Sequence, residues 1–359
     1  MSDHEQRMLV FVGSYAEASD NGVYVYEFDE HLGELKQLDQ AAGLKNPTFL
    51  HVDDSHHLLY AIAERIDDNG AKVSDVVTYL VDPVEGKLTV SGREYALNGP
   101  ACHIQRSRDD RYLTLTSYHN GTISLVKLTG EGQVDRLLDI QQHEGKSVHP
   151  NQDRPHPHSS FFSPDGRYLF VCDLGIDRIR SYEIDRSAGK LIPHSETVLH
   201  PGAGPRHMTF HPNGRLAYVI NELDSTVTAY TYDADKGTLA EVETVSTLPE
   251  HVTCDNSCAE IAISANGKFL YGSNRGHDSI VVYAVDGDTG KLTVVDHVPV
   301  EGAHPRHFSI LPGGQYLIAA NRDTNNLVVF KIDQATGKLD FTGHTVEVSK
   351  PVCVWGYRF

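Results

Sequence analysis

The chain has 359 residues, 40% of them hydrophobic and 22% charged, a composition that folds rather than staying disordered. Its 31 Lys and Arg face 49 Asp and Glu, a formal charge of −18 that argues against nucleic acid or an anionic membrane surface as a partner. No stretch approaches the ~18 apolar residues of a membrane-crossing helix, and 21 histidines in so acidic a chain ask for a cause.

From the N-terminus, Met1–Arg7 is polar and runs directly into Leu9-Val10-Phe11-Val12. A basic segment followed by a long apolar one is missing there, so no secretory signal is expected and the location expected is cytoplasmic. Cys102, Cys172, Cys254, Cys258 and Cys353 are odd in number and scattered. Cys254 and Cys258 lack a second pair that would complete a zinc site, so ordinary thiols are expected.

An Asp-x-x-x-Gly-x-Leu pattern recurs along the chain at Asp29/Gly33/Leu35, Asp82/Gly86/Leu88, Asp185/Gly189/Leu191, Asp233/Gly237/Leu239, Asp286/Gly290/Leu292 and Asp333/Gly337/Leu339. A degenerate copy stands at Leu128/Gly132/Val134. Such a turn needs an acidic residue to cap it and a glycine to take positive φ. Upstream in each unit lies a second turn, as in Ser163-Pro164-Asp165-Gly166 and His211-Pro212-Asn213-Gly214, flanked by β-rich runs. Each unit therefore reads as four strands, a to d, and no window carries a helical period. Units of this length repeated seven times predict an all-β, seven-bladed β-propeller; a solenoid would have shorter repeats and capping ends. Met8–Gly13 aligns with a strand b that lacks its strand a, and Pro351–Tyr357 supplies one strand of the right kind. The C-terminal strand is thus expected to complete the first blade, making residues 1–359 one domain. The third unit is weaker, with Asp109-Asp110 in place of Pro-Asp-Gly.

Aligned on the upstream turn glycine, the start of strand a carries Thr48, Cys102, His158, Arg206, Ala259 and Arg306, followed by Phe49, His103, Ser159, His207, Glu260 and His307. The end of strand b carries Glu64, Tyr118, Asp173, Asn221-Glu222, Asn274-Arg275 and Asn321-Arg322. Antiparallel neighbours bring the start of a and the end of b to one face, so both sets converge on one mouth of the central channel. Residues that merely support the repeat would be alike in every blade, whereas His158, Arg206, Glu222, Arg275 and Arg306 differ. A cluster of like charge is costly unless an anion occupies it. With many Asp and Glu at blade turns and outer strands, an acidic rim around a basic pocket is expected.

The segments His156-Pro157-His158-Ser159, Ser163–Gly175, Gly204-Pro205-Arg206-His207, Asn221-Glu222-Leu223, Ala259-Glu260-Ile261 and Ser273-Asn274-Arg275-Gly276-His277 resemble the seven-bladed lactonase family. That family includes the propeller-type 6-phosphogluconolactonases and the fungal carboxy-muconate lactonizing enzymes. The resemblance spans essentially the whole chain and implies His158, Arg206, Glu222 and Arg275 as catalytic residues.

Hydrolysis of a small anionic lactone, 6-phosphogluconolactone first, is the expected activity. Glu222 is read as general base with His158 as partner or leaving-group acid. Arg206 and Arg275 would hold the developing oxyanion. His207, Glu260, Arg306, His307, Asn221 and Asn274 are candidate substrate-binding residues, Arg306 with His207 or His307 seating a phosphate or carboxylate. No cofactor and no metal is expected, because the carboxylate-rich cage of a calcium site is not evident. His149 and His156 read as part of a proline-stabilised loop. No Gly-x-Ser-x-Gly nucleophile elbow is present, and Gly145-Lys146-Ser147 lacks the first glycine of a phosphate loop. Two rival readings are a cycloisomerase acting on a carboxylated muconate-like substrate and a non-catalytic propeller scaffold. A monomer or weak homodimer is expected.

Overall fold

The computed structural model describes residues 7–359; the expectation about a leader bears on residues 1–6, outside the described residues. Seven antiparallel sheets of four strands stand in a ring, the propeller that the repeat predicts. In blades 2 to 7 the inner strands are Leu50–Asp53, His103–Arg106, Pro157–Phe162, Pro205–Phe210, Ser257–Ile263 and Pro305–Ile310. Blade 1 is a composite. Its inner strand Pro351–Arg358 pairs with Met8–Ser14, setting Phe11 opposite Trp355 and Val12 opposite Val354, as the strand count requires.

The second strand of each blade is largely buried on both faces because each face meets a different neighbour. In Met8–Ser14, Leu9 and Phe11 pack into the core shared with blade 2, while Val10 and Val12 pack into the core shared with blade 7. Outer strands such as Glu34–Ala41 touch solvent and read as polar.

The c–d turns form as their sequence dictates. Asp29 Oδ1 accepts the N–H groups of His31 at 2.8 Å and Leu32 at 3.0 Å, and Gly33 closes the turn with φ 72°. In the degenerate copy Thr129 replaces the aspartate, its hydroxyl accepting the N–H groups of Glu131 and Gln133. The weak third unit is a complete blade. Asp110 takes φ 59° where blades 4 to 7 use glycine, and Ser107 donates to Asp109 as Ser163 does to Asp165. Aspartate tolerates this left-handed conformation better than most side chains, so the turn survives without glycine.

Candidate active site

Two buried carboxylates place the strands that carry the mouth. Asp177, after strand b of blade 4, accepts N–H groups of Gly202 and Gly204 at 2.8 Å each and the Gln152 amide at 2.7 Å. Ser147 donates to it as well. Gly204 directly precedes the inner strand of blade 5, so this carboxylate fixes where Arg206 enters the channel. Asp173 accepts from His143 Nδ1 at 2.6 Å, and His143 Nε2 lies 2.8 Å from the Tyr182 hydroxyl. These anchors hold the loop that leads to His156 and His158.

At the mouth the predicted convergence is realised. Glu222 Oε2 lies 2.9 Å from Arg206 Nε and 2.8 Å from Arg275 Nη2. Arg206 donates through Nη1 to the Ala259 carbonyl at 2.7 Å, and Arg275 through Nη2 to the Cys258 carbonyl at 2.5 Å. Among the described residues no acceptor meets Arg206 Nη2 or Arg275 Nη1, which leaves each guanidinium one uncommitted donor edge. Arg306 lies over the Tyr15 ring, 5.8 Å from its centre, and among the described residues has no carboxylate at ion-pair distance. Two arginines sharing one glutamate, with a third unpaired, leave a net positive mouth in a protein of formal charge −18.

The electrostatics change the expected role of Glu222. Burial alone would raise its carboxyl pKa, but Arg275, Arg206 and Arg306 overcome that and hold it below the ordinary value. It is an anionic clamp on two guanidiniums. Burial first, then Arg206, His207 and the other arginines, press the His158 pKa well below the ordinary imidazole value, so it is neutral near pH 7. Its ring lies between Tyr118, at 5.9 Å between centres, and His207, at 5.1 Å.

The candidate binding residues divide. Arg306 sits at the mouth. His207, Glu260 and His307 lie deeper, 1 to 6% exposed, where rings from several blades meet on the axis. Phe49 lies 4.4 Å from His103, 5.4 Å from His307 and 6.0 Å from His207. Glu260 contacts both His207 Nδ1 and His307 Nε2 at 3.1 Å. These residues plug the channel, one per blade, beneath the mouth. Asn221 and Asn274 are fully buried and bonded within the scaffold, Asn221 inside its own blade and Asn274 to the segment that leaves blade 5, which corrects the expectation that they bind substrate. Asn221 donates to the Thr226 and Thr228 hydroxyls, and Asn274 to the Thr247 carbonyl. An asparagine ending strand b is repeat chemistry, and Asn321, bonded to the Val300 carbonyl, is a third copy.

The acidic rim is corrected in part: acids such as Asp224, Asp278 and Asp323 follow strand b on the mouth face, but the c–d aspartates do not lie there. Strand b ends at the mouth, so strand c leaves it, and the aspartate turns after strand c lie on the opposite face. A cavity of about 610 Å³ opens on that far side, lined by Arg106, Phe161, Met208, Glu260, Phe308 and Trp355 among others, and by none of the mouth arginines. Tyr118 and Tyr15 were missed as site residues. Tyr118 stacks on His156 at 4.1 Å, and both tyrosines follow a strand b, a position the alignment does single out. Among the described residues no cluster of three or more His, Cys, Asp or Glu is placed to hold a metal ion. His156 is engaged with the Tyr118 carbonyl at 2.7 Å and His149 with the Asn151 N–H at 3.1 Å.

Comparison with known proteins bears on the family and the fold. Residues 9–355 match the family model described as lactonase, 7-bladed beta-propeller. The chain is 34% identical to a 6-phosphogluconolactonase of Bacillus subtilis over 97% of its own length and 98% of the relative's. A 6-phosphogluconolactonase of Formosa agariphila is 32% identical, covering 84% of this chain and 86% of that one. The solved periplasmic gluconolactonase of Pseudomonas aeruginosa superposes with a TM-score of 0.91 at 31% identity, covering 98% of this chain and 99% of that one. The chain belongs to the seven-bladed β-propeller lactonase family.

Proposed function

We propose that the protein hydrolyses a sugar lactone carrying an anionic group, with 6-phosphogluconolactone as the first substrate to test. The observation that carries this reading is the Arg206–Glu222–Arg275 cluster with its two uncommitted guanidinium edges, beside the unpaired Arg306. The lactone carbonyl would sit against Arg206 and Arg275, and Arg306 would take the phosphate as a planar two-pronged donor. His158, neutral and at the mouth, accepts a proton from water as the oxygen adds to the carbonyl carbon. Charge moves onto the carbonyl oxygen, where the two guanidiniums stabilise it. The intermediate then breaks its bond to the ring oxygen, which takes the proton back from His158. The open-chain acid loses its proton to solvent at neutral pH.

This assignment moves the base from Glu222 to His158, because Glu222 is committed to Arg206 and Arg275 at 2.9 and 2.8 Å, whereas among the described residues the His158 ring is paired with no charged group. The charge pattern also favours a small anion over a protein partner. Cytoplasmic location and a monomer or weak dimer belong to the same proposal. Both a phosphorylated and an unphosphorylated lactone occur in the relatives' names, so both are assayed. Purified protein is expected to open 6-phosphogluconolactone faster than its spontaneous hydrolysis. His158→Asn should abolish the excess, and Arg275→Ala should cut it about 100- to 1,000-fold. A His158→Asn protein as active as the parent sinks the reading. Turnover of a muconate-like acid to its lactone, with no hydrolysis, would favour the lactonizing alternative.

A further inference from the structure

His158 at the mouth stands above three further imidazoles, His103, His207 and His307, and Glu260, and the proposed chemistry uses only His158. The hydrogen bonds around Glu260 determine which ring nitrogens carry protons. His307 Nδ1 accepts the Val354 N–H at 3.3 Å, so its proton lies on Nε2, which is 3.1 Å from Glu260 Oε2 but makes no aligned hydrogen bond to it. Glu260 Oε1 also accepts the Ile261 N–H at 2.9 Å. His207 meets both oxygens of the same carboxylate through Nδ1, at 3.2 and 3.1 Å, so Nδ1 is its protonated nitrogen. That leaves the lone pair on His207 Nε2, a buried atom with no partner among the described residues. His158 Nδ1 is likewise buried and unpartnered. The two rings are neighbours, 5.1 Å between centres and inclined at 62°. An acceptor without a donor and a nitrogen free to be that donor thus stand side by side.

We propose that Glu260 and His207 are positioning residues for His158: Glu260 holds His207 with its proton on Nδ1, and His207 Nε2 then accepts the Nδ1–H of His158. With His207 kept on Glu260, rotation of the His158 ring about χ2 would turn its Nδ1 toward His207 Nε2. Catalytic hydrogen bonds are often long without substrate and tighten when it binds. The consequence is that His158 presents the lone pair of Nε2 to water. When His158 takes the proton, the positive charge is shared toward a buried carboxylate that has no arginine of its own at ion-pair distance among the described residues. This arrangement rests on the reading of His158 as base. It resembles in logic an acid, an imidazole and a reacting group in series, with a second imidazole as the last member.

The groups facing His158 are Tyr118 and Cys102 from blade 3, Arg206 and His207 from blade 5, Arg275 from blade 6 and Arg306 from blade 7. Those facing Glu260 are His207 from its one side, His307 from the other, and Arg206. All three arginines disfavour protonated His158, and Glu260 is the carboxylate that His207 links to it. Removing the Glu260 charge therefore lowers the basicity of His158.

The test has two parts. In protein labelled with ¹⁵N-histidine, long-range ¹H–¹⁵N correlation is expected to find His207 protonated on Nδ1 and bare on Nε2. The opposite tautomer overturns the proposal, whatever the activity. In kinetics, Glu260→Gln is expected to lower kcat about 10-fold with KM unchanged, and to move the acid limb of kcat/KM to lower pH. His207→Phe, which keeps an aromatic ring in the plug, should lower kcat about 100-fold, also with KM unchanged. If both fold, by circular dichroism and thermal melting, and both keep the parent kcat and pH profile, the positioning role is wrong. His158→Asn separates the two levels: if it is inactive while those variants are normal, the lactonase reading stands and the relay falls. If His158→Asn is fully active, the reading beneath the relay has failed.

Discussion

Asp177 accepts the backbone N–H of Gly204 at 2.8 Å, so the end of one blade fixes the entry of the next blade's inner strand, two residues before Arg206. The same carboxylate serves Gly202, Gln152 and Ser147 and takes φ 52°. Replacing it with alanine leaves several buried donors without an acceptor, at a cost of about 1–3 kcal/mol for each that water cannot reach. Asp177→Ala is expected to lower the melting temperature and to reduce kcat through a misplaced Arg206. Asp177→Asn keeps one acceptor oxygen and should lose less of both. Equal losses in the two variants would show that acceptor geometry is not what this residue supplies.

Arg306 separates the two lactones named for the relatives. Among the described residues its guanidinium is paired with no carboxylate, unlike those of Arg206 and Arg275, which share Glu222. Arg306→Ala should raise KM for 6-phosphogluconolactone about 10- to 100-fold, the scale of a lost charge-assisted contact, with kcat little changed. Gluconolactone without phosphate should keep its KM. A parallel rise for both substrates would remove Arg306 from phosphate recognition.

The buried histidines predict how the fold responds to acid. Burial is the first cause that lowers the pKa of His51 to about 3 and of His307 to about 4, and it holds His103, His158 and His207 well below the ordinary value. The unfolded chain titrates them near 6.5. It therefore takes up protons that the native state refuses, and stability falls as pH drops below about 6.5. His304, lowered to about 4, and His119 and His297, lowered as well, add to this uptake. Glu260 opposes this by one, because burial raises its carboxyl pKa and the native state then takes that proton first. Urea midpoints should be flat from pH 7 to 8 and decline steeply from pH 6 to 5. A flat profile down to pH 5 contradicts the burial of neutral imidazoles.

Ring closure gives a sharper stability test. Deleting residues 351–359 removes the inner strand of blade 1, exposes the edge of Met8–Ser14 and takes Trp355 and Cys353 from the core. The truncated chain is expected to lose its cooperative thermal transition or to aggregate through the bare edge. Adding the missing strand as a peptide should restore part of the transition.

The architecture was legible because turn chemistry repeats. Asp29 and Gly33 do the same work as Asp333 and Gly337, and a spacing is enough to reveal it. The convergence of Arg206, Glu222 and Arg275 followed from antiparallel pairing alone. What escaped depends on side-chain direction and on partners far apart in sequence. Asn221 reads as polar and near the site, but its amide turns back to Thr226 and Thr228. Glu222 reads as a base until two guanidiniums are found on one of its oxygens. Glu260 and His207 are adjacent only across two blades, and no spacing announces which nitrogen faces which oxygen.

The aspartate turns on the face opposite the mouth settle how so anionic a protein can receive an anion. A six-residue inner strand such as Pro205–Phe210 spans about 20 Å, whereas mobile ions damp a charge over roughly 8 Å at physiological ionic strength. A ligand at the mouth is therefore governed by the nearby guanidiniums, while the aspartates at the far end are largely hidden from it by the intervening electrolyte. The formal charge of the chain describes its colloidal behaviour; the thickness of the propeller keeps the c–d aspartates from cancelling the charge of Arg206, Arg275 and Arg306 at the mouth.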